Sequence, residues 1–257
     1  MKLIFPCAVA ATLSVISISA AESVPPAISA AELAGRMNAV SQGSALIRSK
    51  LEVRSGDGTK RVLQLQIKQR RTKTSSDIVY RVLWPNEHKD EAVILHQAQG
   101  TSTGSLIIPQ QPVRTINSSQ MNNGLFDSDL SYQDAVENFF AWNKQAVVGA
   151  EVINNVNCQI LESKPDSSSA SIYAKVRSWI DPHRFVPMRI EKYSSSGELV
   201  RRIDITRVAR DEKDNQIPGN LTVHGPRKDS VTEFTGARID QKVNFTDADF
   251  TPEGISK

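Results

Sequence analysis

Residues 47–68 read IRSKLEVRSGDGTKRVLQLQIK and contain two runs in which apolar and polar side chains alternate. In the second run, Leu63, Leu65 and Ile67 are separated by glutamines. Successive side chains of a β-strand point to opposite faces, so each run predicts a strand with one apolar face and one solvated face. The Asp-Gly pair at 57–58 is typical of a tight hairpin turn. We therefore expect the two runs to form an antiparallel hairpin.

The same alternation continues along most of the chain. Ile78, Tyr80, Val82 and Trp84 occupy alternate positions of a third run, and shorter runs separated by turn residues extend to the C terminus. Regularly spaced turns with little helix predict a mainly β fold, in which one large antiparallel sheet curls or closes. No stretch of residues 22–257 has the composition of a long linker, so we expect a single domain.

Two short helices interrupt the strand pattern. The first is predicted from a capping box at residues 29–32 and the second from a capping box at residues 131–134. Four residues of the second fall on one helical face: Tyr132, Val136, Phe139 and Phe140. An aromatic helix face is more often part of a protein core than a ligand site.

The N terminus resembles a secretory signal. A basic start at Lys2 precedes a short apolar run, and small residues end it at Ala20 and Ala21. We expect cleavage after about Ala21, hence a periplasmic protein. A membrane anchor is the alternative, but the run is near the lower length limit and is interrupted by Pro6. Cleavage would leave Cys158 as the one cysteine, which we expect to be a buried apolar side chain.

Charge and motif content argue against several functions. The formal net charge of +3 gives no basic footprint for nucleic acid. The four histidines show no metal-ligand spacing, and no nucleophile or phosphate-loop motif is present. The acid pairs at 127/129, 247/249 and 211/212 are interpreted as loop solvation or helix capping. The sequence therefore predicts no enzyme, no metal and no cofactor.

Three stretches carry a family resemblance. Residues 179–191 read WIDPHRFVPMRIE, residues 127–134 read DSDLSYQD, and residues 245–254 read FTDADFTPEG. Together they resemble motifs of the LolA/LolB superfamily, in its broader branch of outer-membrane lipoprotein-sorting proteins. The resemblance extends over nearly all of residues 22–257. Residues 89–92 and 105–109 depart from the family pattern near the mouth and lid, which leaves the identity of the ligand open.

The resemblance implies an incomplete β-barrel, a strongly curved antiparallel sheet whose concave face is covered by a few helices. Carriers of this family hold acyl chains between sheet and lid. On this basis we predict eleven residues of an apolar ligand site: Leu51, Val53, Leu63, Leu65, Ile67, Tyr80, Val82, Tyr132, Val136, Phe139 and Phe140.

Two functions remain open from the sequence. The first is a periplasmic, monomeric carrier of lipid or lipoprotein acyl chains, which would exchange cargo with an inner-membrane exporter or an outer-membrane acceptor. The second is a non-carrier interaction or sensor module with the same fold. Periodicity does not distinguish an open cavity from a filled core, so both alternatives stand.

Overall fold

Thirteen antiparallel strands form one sheet in the part of the chain that the structure describes. The computed structural model describes residues 28–255 except 168, 212–213 and 228, so the predicted signal peptide at 1–21 lies outside the described residues. The strands are β1 (Gly43–Arg54), β2 (Lys60–Arg71), β3 (Ser75–Trp84), β4 (Ala92–Ala98), β5 (Thr101–Ile107), β6 (Arg114–Ile116), β7 (Lys144–Ile153), β8 (Val156–Lys164), β9 (Lys175–Asp181), β10 (Val186–Tyr193), β11 (Leu199–Arg210), β12 (Gln216–His224) and β13 (Val231–Asp240).

The predicted hairpin is confirmed, because Leu51 of β1 pairs with Leu63 of β2 in antiparallel register. Strand order across the sheet is β6-β5-β4-β3-β2-β1-β13-β12-β11-β10-β9-β8-β7. The first and last strands are therefore neighbours in the middle, and β6 and β7 are the two edges. Residues 117–143, which join one edge to the other, must pass over a face of the sheet. We call them the crossing segment.

The sheet is strongly curved but not closed. The backbone N–H of Ala170, between β8 and β9, donates to the carbonyl of Gly100, between β4 and β5, at 2.9 Å. These two turns belong to opposite halves of the sheet, and a flat sheet would hold them several strand spacings of about 4.8 Å apart. The prediction of a mainly β, incomplete barrel is confirmed, and the crossing segment lies on its concave face.

Helix α1 (Ala30–Ser41) begins where predicted, and the Glu32 N–H donates to the Ser29 hydroxyl at 3.2 Å. Only this half of the predicted capping box forms, because the Glu32 carboxylate accepts from Arg36 at 2.8 Å. Its apolar face packs against Leu161 of β8 and Ile180 of β9. Helix α3 (Pro252–Ile255) ends the described chain and covers the opposite, convex face around β3 and β4. No helix among the described residues combines the length and the apolar composition that a membrane span requires.

The predicted mid-chain helix is shorter than expected. Helix α2 (Tyr132–Val136) ends four residues before Phe140, and a separate 3₁₀ turn covers Phe139–Ala141. The cause lies in β2 and β3. Arg71 donates to the carbonyls of Ala135 and Val136 at 3.2 and 3.1 Å, and the Tyr80 hydroxyl also donates to Ala135. Those carbonyls would otherwise accept the N–H groups of the next helical turn. The prediction that all four residues share one helical face was therefore wrong.

Candidate functional site

One apolar cluster fills the concave face between the sheet and the crossing segment. Nine of the eleven predicted site residues belong to it: Leu51, Val53, Leu63, Leu65, Ile67, Tyr80, Val82, Tyr132 and Val136. Strands of both halves of the sheet contribute, since Leu95 of β4 and Ile203 of β11 are also members. We call this set the concave cluster.

The two remaining predicted residues lie beside the cluster. Phe139 packs with Tyr173 and Val176, and Phe140 contacts both that group and α1. Their ring centroids are 4.4 Å apart. Because α2 ends at Val136, both rings point toward the β8–β10 side of the sheet rather than along the face of a continuous helix.

The crossing segment supplies the side chains that fill the cluster. Met121, Leu125, Phe126 and Leu130 are buried in it together with α2. The segment turns sharply before α2, where Phe126 and the next residue both have positive φ. A backbone hydrogen bond of 2.7 Å from Leu125 to Leu130 closes this turn. The concave face is thus occupied by the protein's own chain.

A buried carboxylate holds α2 to the sheet. Asp134 lies 2.7 Å from Nζ of Lys192 on β10 and also binds Nη1 of Arg201 on β11. The Tyr173 hydroxyl donates to Asp134 at 2.7 Å, and the Ser131 hydroxyl does so at the same distance. Burial acts to raise the pKa of Asp134, but the attraction of the two cations outweighs it and holds the pKa well below its usual range.

A second buried acid adjoins this group. Glu137 accepts a 2.6 Å hydrogen bond from the side-chain amide of Gln133. Burial raises the pKa of Glu137, and nearby Lys192 opposes that shift. Among the described residues, Nε of Arg201 and Oε1 of Gln133 are buried without a hydrogen-bond partner. Such orphaned polar atoms are uncommon and call for an explanation.

The preceding turn is held by a different set of polar contacts. Asp129 accepts 2.8 and 2.9 Å hydrogen bonds from the hydroxyls of Thr232 and Ser230, and Arg227 donates to it at 3.2 Å. The interpretation of Asp129 as a loop-solvating acid was wrong, because its side chain is fully buried. Asp127 of the same pair is exposed and pairs with Arg61, which also binds the carbonyl of Phe126.

The residues that fasten the crossing segment were only partly visible in the sequence. The 127–134 motif marks the segment itself, but it does not reveal the partners Lys192 and Arg201. A signal was available for Lys192, since it follows Ile190 at the spacing that puts both on the same strand face. That alternation places a lysine on the buried side of β10.

Other chemistry-bearing side chains have structural roles. Burial raises the pKa of the Cys158 thiol to about 11, so the thiol is protonated at neutral pH. Asp181 of the 179–191 motif accepts the backbone N–H of His183 at 2.8 Å and thereby orders the turn into β10. Within the described residues, no three histidine, cysteine or acidic side chains are grouped as a metal site would require.

Comparison with known proteins places the chain in a family. A family model described as an uncharacterized protein matches residues 74–257. The chain belongs to this family. A comparison with curated proteins gives no match.

Three solved structures share the fold. A DUF1329 family protein from Desulfovibrio piger ATCC 29098 superposes with a TM-score of 0.80 at 18% identity, over 88% of this chain and 97% of the other. An outer membrane lipoprotein-sorting protein domain from Vibrio parahaemolyticus has a TM-score of 0.80 at 15% identity, over 89% and 98%. A LolA superfamily protein from Nitrosomonas europaea has a TM-score of 0.71 at 16% identity, over 88% and 99%. The chain therefore has the LolA-like fold, which confirms the resemblance at the level of structure.

Proposed function

We propose that the protein is a periplasmic carrier that holds the acyl chain of a lipid or lipoprotein against the concave face of its sheet. The observation that carries this proposal is the character of the crossing segment. It covers a large aliphatic surface, yet it contributes no strand to the sheet. Side chains of the sheet hold it instead, by binding the carboxylates of Asp129 and Asp134 and the carbonyls at the end of α2. Displacing it breaks no strand ladder.

An acyl chain is a chemically suitable replacement for the displaced side chains. Leu125, Phe126 and Leu130 cover the cluster with aliphatic and aromatic groups. Burying about ten methylene groups in their place would contribute roughly 8 kcal/mol, at about 0.8 kcal/mol per CH₂. That gain is of the same order as the burial of the three displaced side chains, at about 1.5–3 kcal/mol each. No catalytic group is required.

The proposal includes location and partners. Cleavage after about Ala21 would release residues 22–257 as a single domain into the periplasm. There the carrier would take cargo from an inner-membrane exporter and deliver it to an outer-membrane acceptor, acting as a monomer. The fold shared with the Vibrio parahaemolyticus lipoprotein-sorting domain supports a link to lipid or lipoprotein sorting.

Native mass spectrometry and lipid extraction of protein purified from the periplasm test the proposal. We expect a co-purified lipid, or one-to-one binding of an added long-chain amphiphile. Neighbouring residues of β4 provide a matched pair of variants. Leu95 is buried in the concave cluster, whereas Ile94 is buried on the convex face that α3 covers. Leu95→Ala should change acyl-chain affinity, whereas Ile94→Ala should lower stability to a similar extent without changing affinity. Ligand-free protein that binds no amphiphile would overturn the proposal.

The filled concave face favours a second candidate, the non-carrier interaction module. In that case the crossing segment is a permanent part of the core. Hydrogen exchange separates the two functions. A carrier should show faster exchange in residues 121–136 than in β1 and β2, and a further change on adding lipid. An interaction module should protect both regions alike, with or without lipid.

A further inference from the structure

Two cations on the sheet share one counter-ion on the crossing segment. Lys192 of β10 and Arg201 of β11 are directly paired across the strands. Their side chains are 1% and 4% exposed, and both bind the carboxylate of Asp134. The cations belong to paired strands of the sheet, but the carboxylate belongs to the part that must move if the concave face is to open.

One donor of the cation pair, on Arg201, is unused within the described part of the chain. Nε of Arg201 is buried and has no hydrogen-bond partner among the described residues. Nζ of Lys192 faces the rings of Phe139 and Tyr173, at 5.2 and 4.8 Å from their centroids, in addition to its contact with Asp134. Ordered buried guanidinium and ammonium groups of this kind bind anionic oxygens.

Aliphatic side chains continue from the cation pair along the same face. The next pair on that face of β10 and β11 is Ile190 with Ile203, which lies two residues along each strand from Lys192 and Arg201. At about 3.3 Å per residue, the apolar surface begins roughly 7 Å from the charges. Ile190 packs against the concave cluster, of which Ile203 is a member. The surface therefore has a charged end followed by an aliphatic path.

We propose that the cargo is an anionic amphiphile, whose single carboxylate or phosphate group binds Lys192 and Arg201 in the place of the Asp134 carboxylate while its chain lies along the concave cluster. This inference rests on the proposed carrier function. When the crossing segment moves, Asp134 leaves with it, and two cations in an apolar setting lose their counter-ion. An anionic headgroup replaces that counter-ion, but a neutral headgroup of equal chain length does not.

Displacement of a neutral fluorescent probe from the mature protein measures the preference for an anionic over a neutral headgroup. The ligands are palmitate, hexadecyl phosphate and 1-hexadecanol, which share a sixteen-carbon chain and differ in headgroup. We expect at least one of the two anions to bind about tenfold more tightly than the alcohol, and their ratio distinguishes carboxylate from phosphate. Lys192→Met and Arg201→Gln should abolish the preference. Arg202→Gln is the control, since Arg202 follows Arg201 on β11 and pairs with Asp204 at 2.7 Å.

Asp134→Asn should strengthen ligand binding, whereas the cation variants should weaken the binding of anions. Asp134→Asn removes the carboxylate that every ligand must displace, so it should tighten binding of all three ligands, retain the preference for the anions and enlarge the thermal stabilisation by palmitate. This variant keeps both cations, so it tests the preference independently of Lys192→Met and Arg201→Gln, and palmitate in the refolding buffer supplies the missing counter-ion. Equal binding of anions and alcohol, or a preference that survives Lys192→Met and Arg201→Gln, would overturn the inference while leaving the carrier function intact. Failure of all three ligands to bind would overturn both.

Discussion

Nζ of Lys192 lies 2.7 Å from Oδ1 of Asp134, and both side chains are almost completely excluded from solvent. One residue belongs to the sheet and the other to the segment that covers it. Because an isolated buried charge is costly, each of these residues stabilises the position of the other. The ion pair therefore couples the placement of the crossing segment to the charge state of the concave face.

Asp134→Asn should lower the free energy of unfolding by about 3–5 kcal/mol, because it leaves Lys192 and Arg201 buried without a carboxylate. Urea denaturation of the ligand-free protein measures this. Asp127→Asn is the matched control on the same segment. Its side chain is 85% exposed, so its pair with Arg61 should contribute less than about 1 kcal/mol. Equal, small effects of the two substitutions would contradict the assigned role of Asp134.

Glu52 should make stability depend on pH below 4.5. Hydrogen bonds from Lys60 and Arg54 lower the pKa of Glu52 from 4.5 to about 2, and burial opposes them. Because the pKa is lower in the folded state, the carboxylate stabilises the fold above pH 4.5, and this contribution is lost as the pH falls toward 2. Denaturation at a series of pH values should therefore show a shallower decline across this window for Glu52→Gln than for the wild type. Parallel profiles would contradict the prediction.

The parts of the fold that depend on neighbouring residues were predictable from the sequence. Alternation from Leu51 to Ile67 predicted β1, β2 and the face that each side chain occupies, and the capping box at 131–134 predicted where α2 begins. Both patterns are local, because strand alternation and helix capping are decided within a few residues.

The parts that depend on distant partners were not predictable. Helix α2 ends early because Arg71, more than sixty residues away in sequence, binds its last carbonyls. Asp129 is buried because Thr232 and Ser230, about a hundred residues away, satisfy its carboxylate. Periodicity identifies apolar faces, but it does not reveal which polar side chain finds a partner after the sheet has curved.

Thr232→Val should loosen the turn that precedes α2. The Thr232 hydroxyl donates to the Asp129 carboxylate and accepts the Asp129 backbone N–H, both at 2.8 Å. Valine has the same shape but supports neither contact, so we expect a loss of about 1–3 kcal/mol. Hydrogen exchange should become faster in residues 121–136 more than in β1. Thr235→Val on the same strand is a control and should leave that exchange pattern unchanged. Uniform acceleration across the sheet would indicate a general core defect instead.

Phe139→Asp and Phe140→Asp should have different effects on ligand binding. From the sequence, both are expected to weaken acyl-chain binding while the sheet stays folded. The structure adds a distinction, because the Phe139 ring lies 5.2 Å from Nζ of Lys192 while Phe140 packs against α1. A carboxylate at position 139 would compete for Lys192, so Phe139→Asp should weaken binding of palmitate more than binding of 1-hexadecanol. Phe140→Asp should weaken both to the same extent. Circular dichroism checks that the sheet is retained, and global unfolding of either variant would indicate that these rings serve only as core.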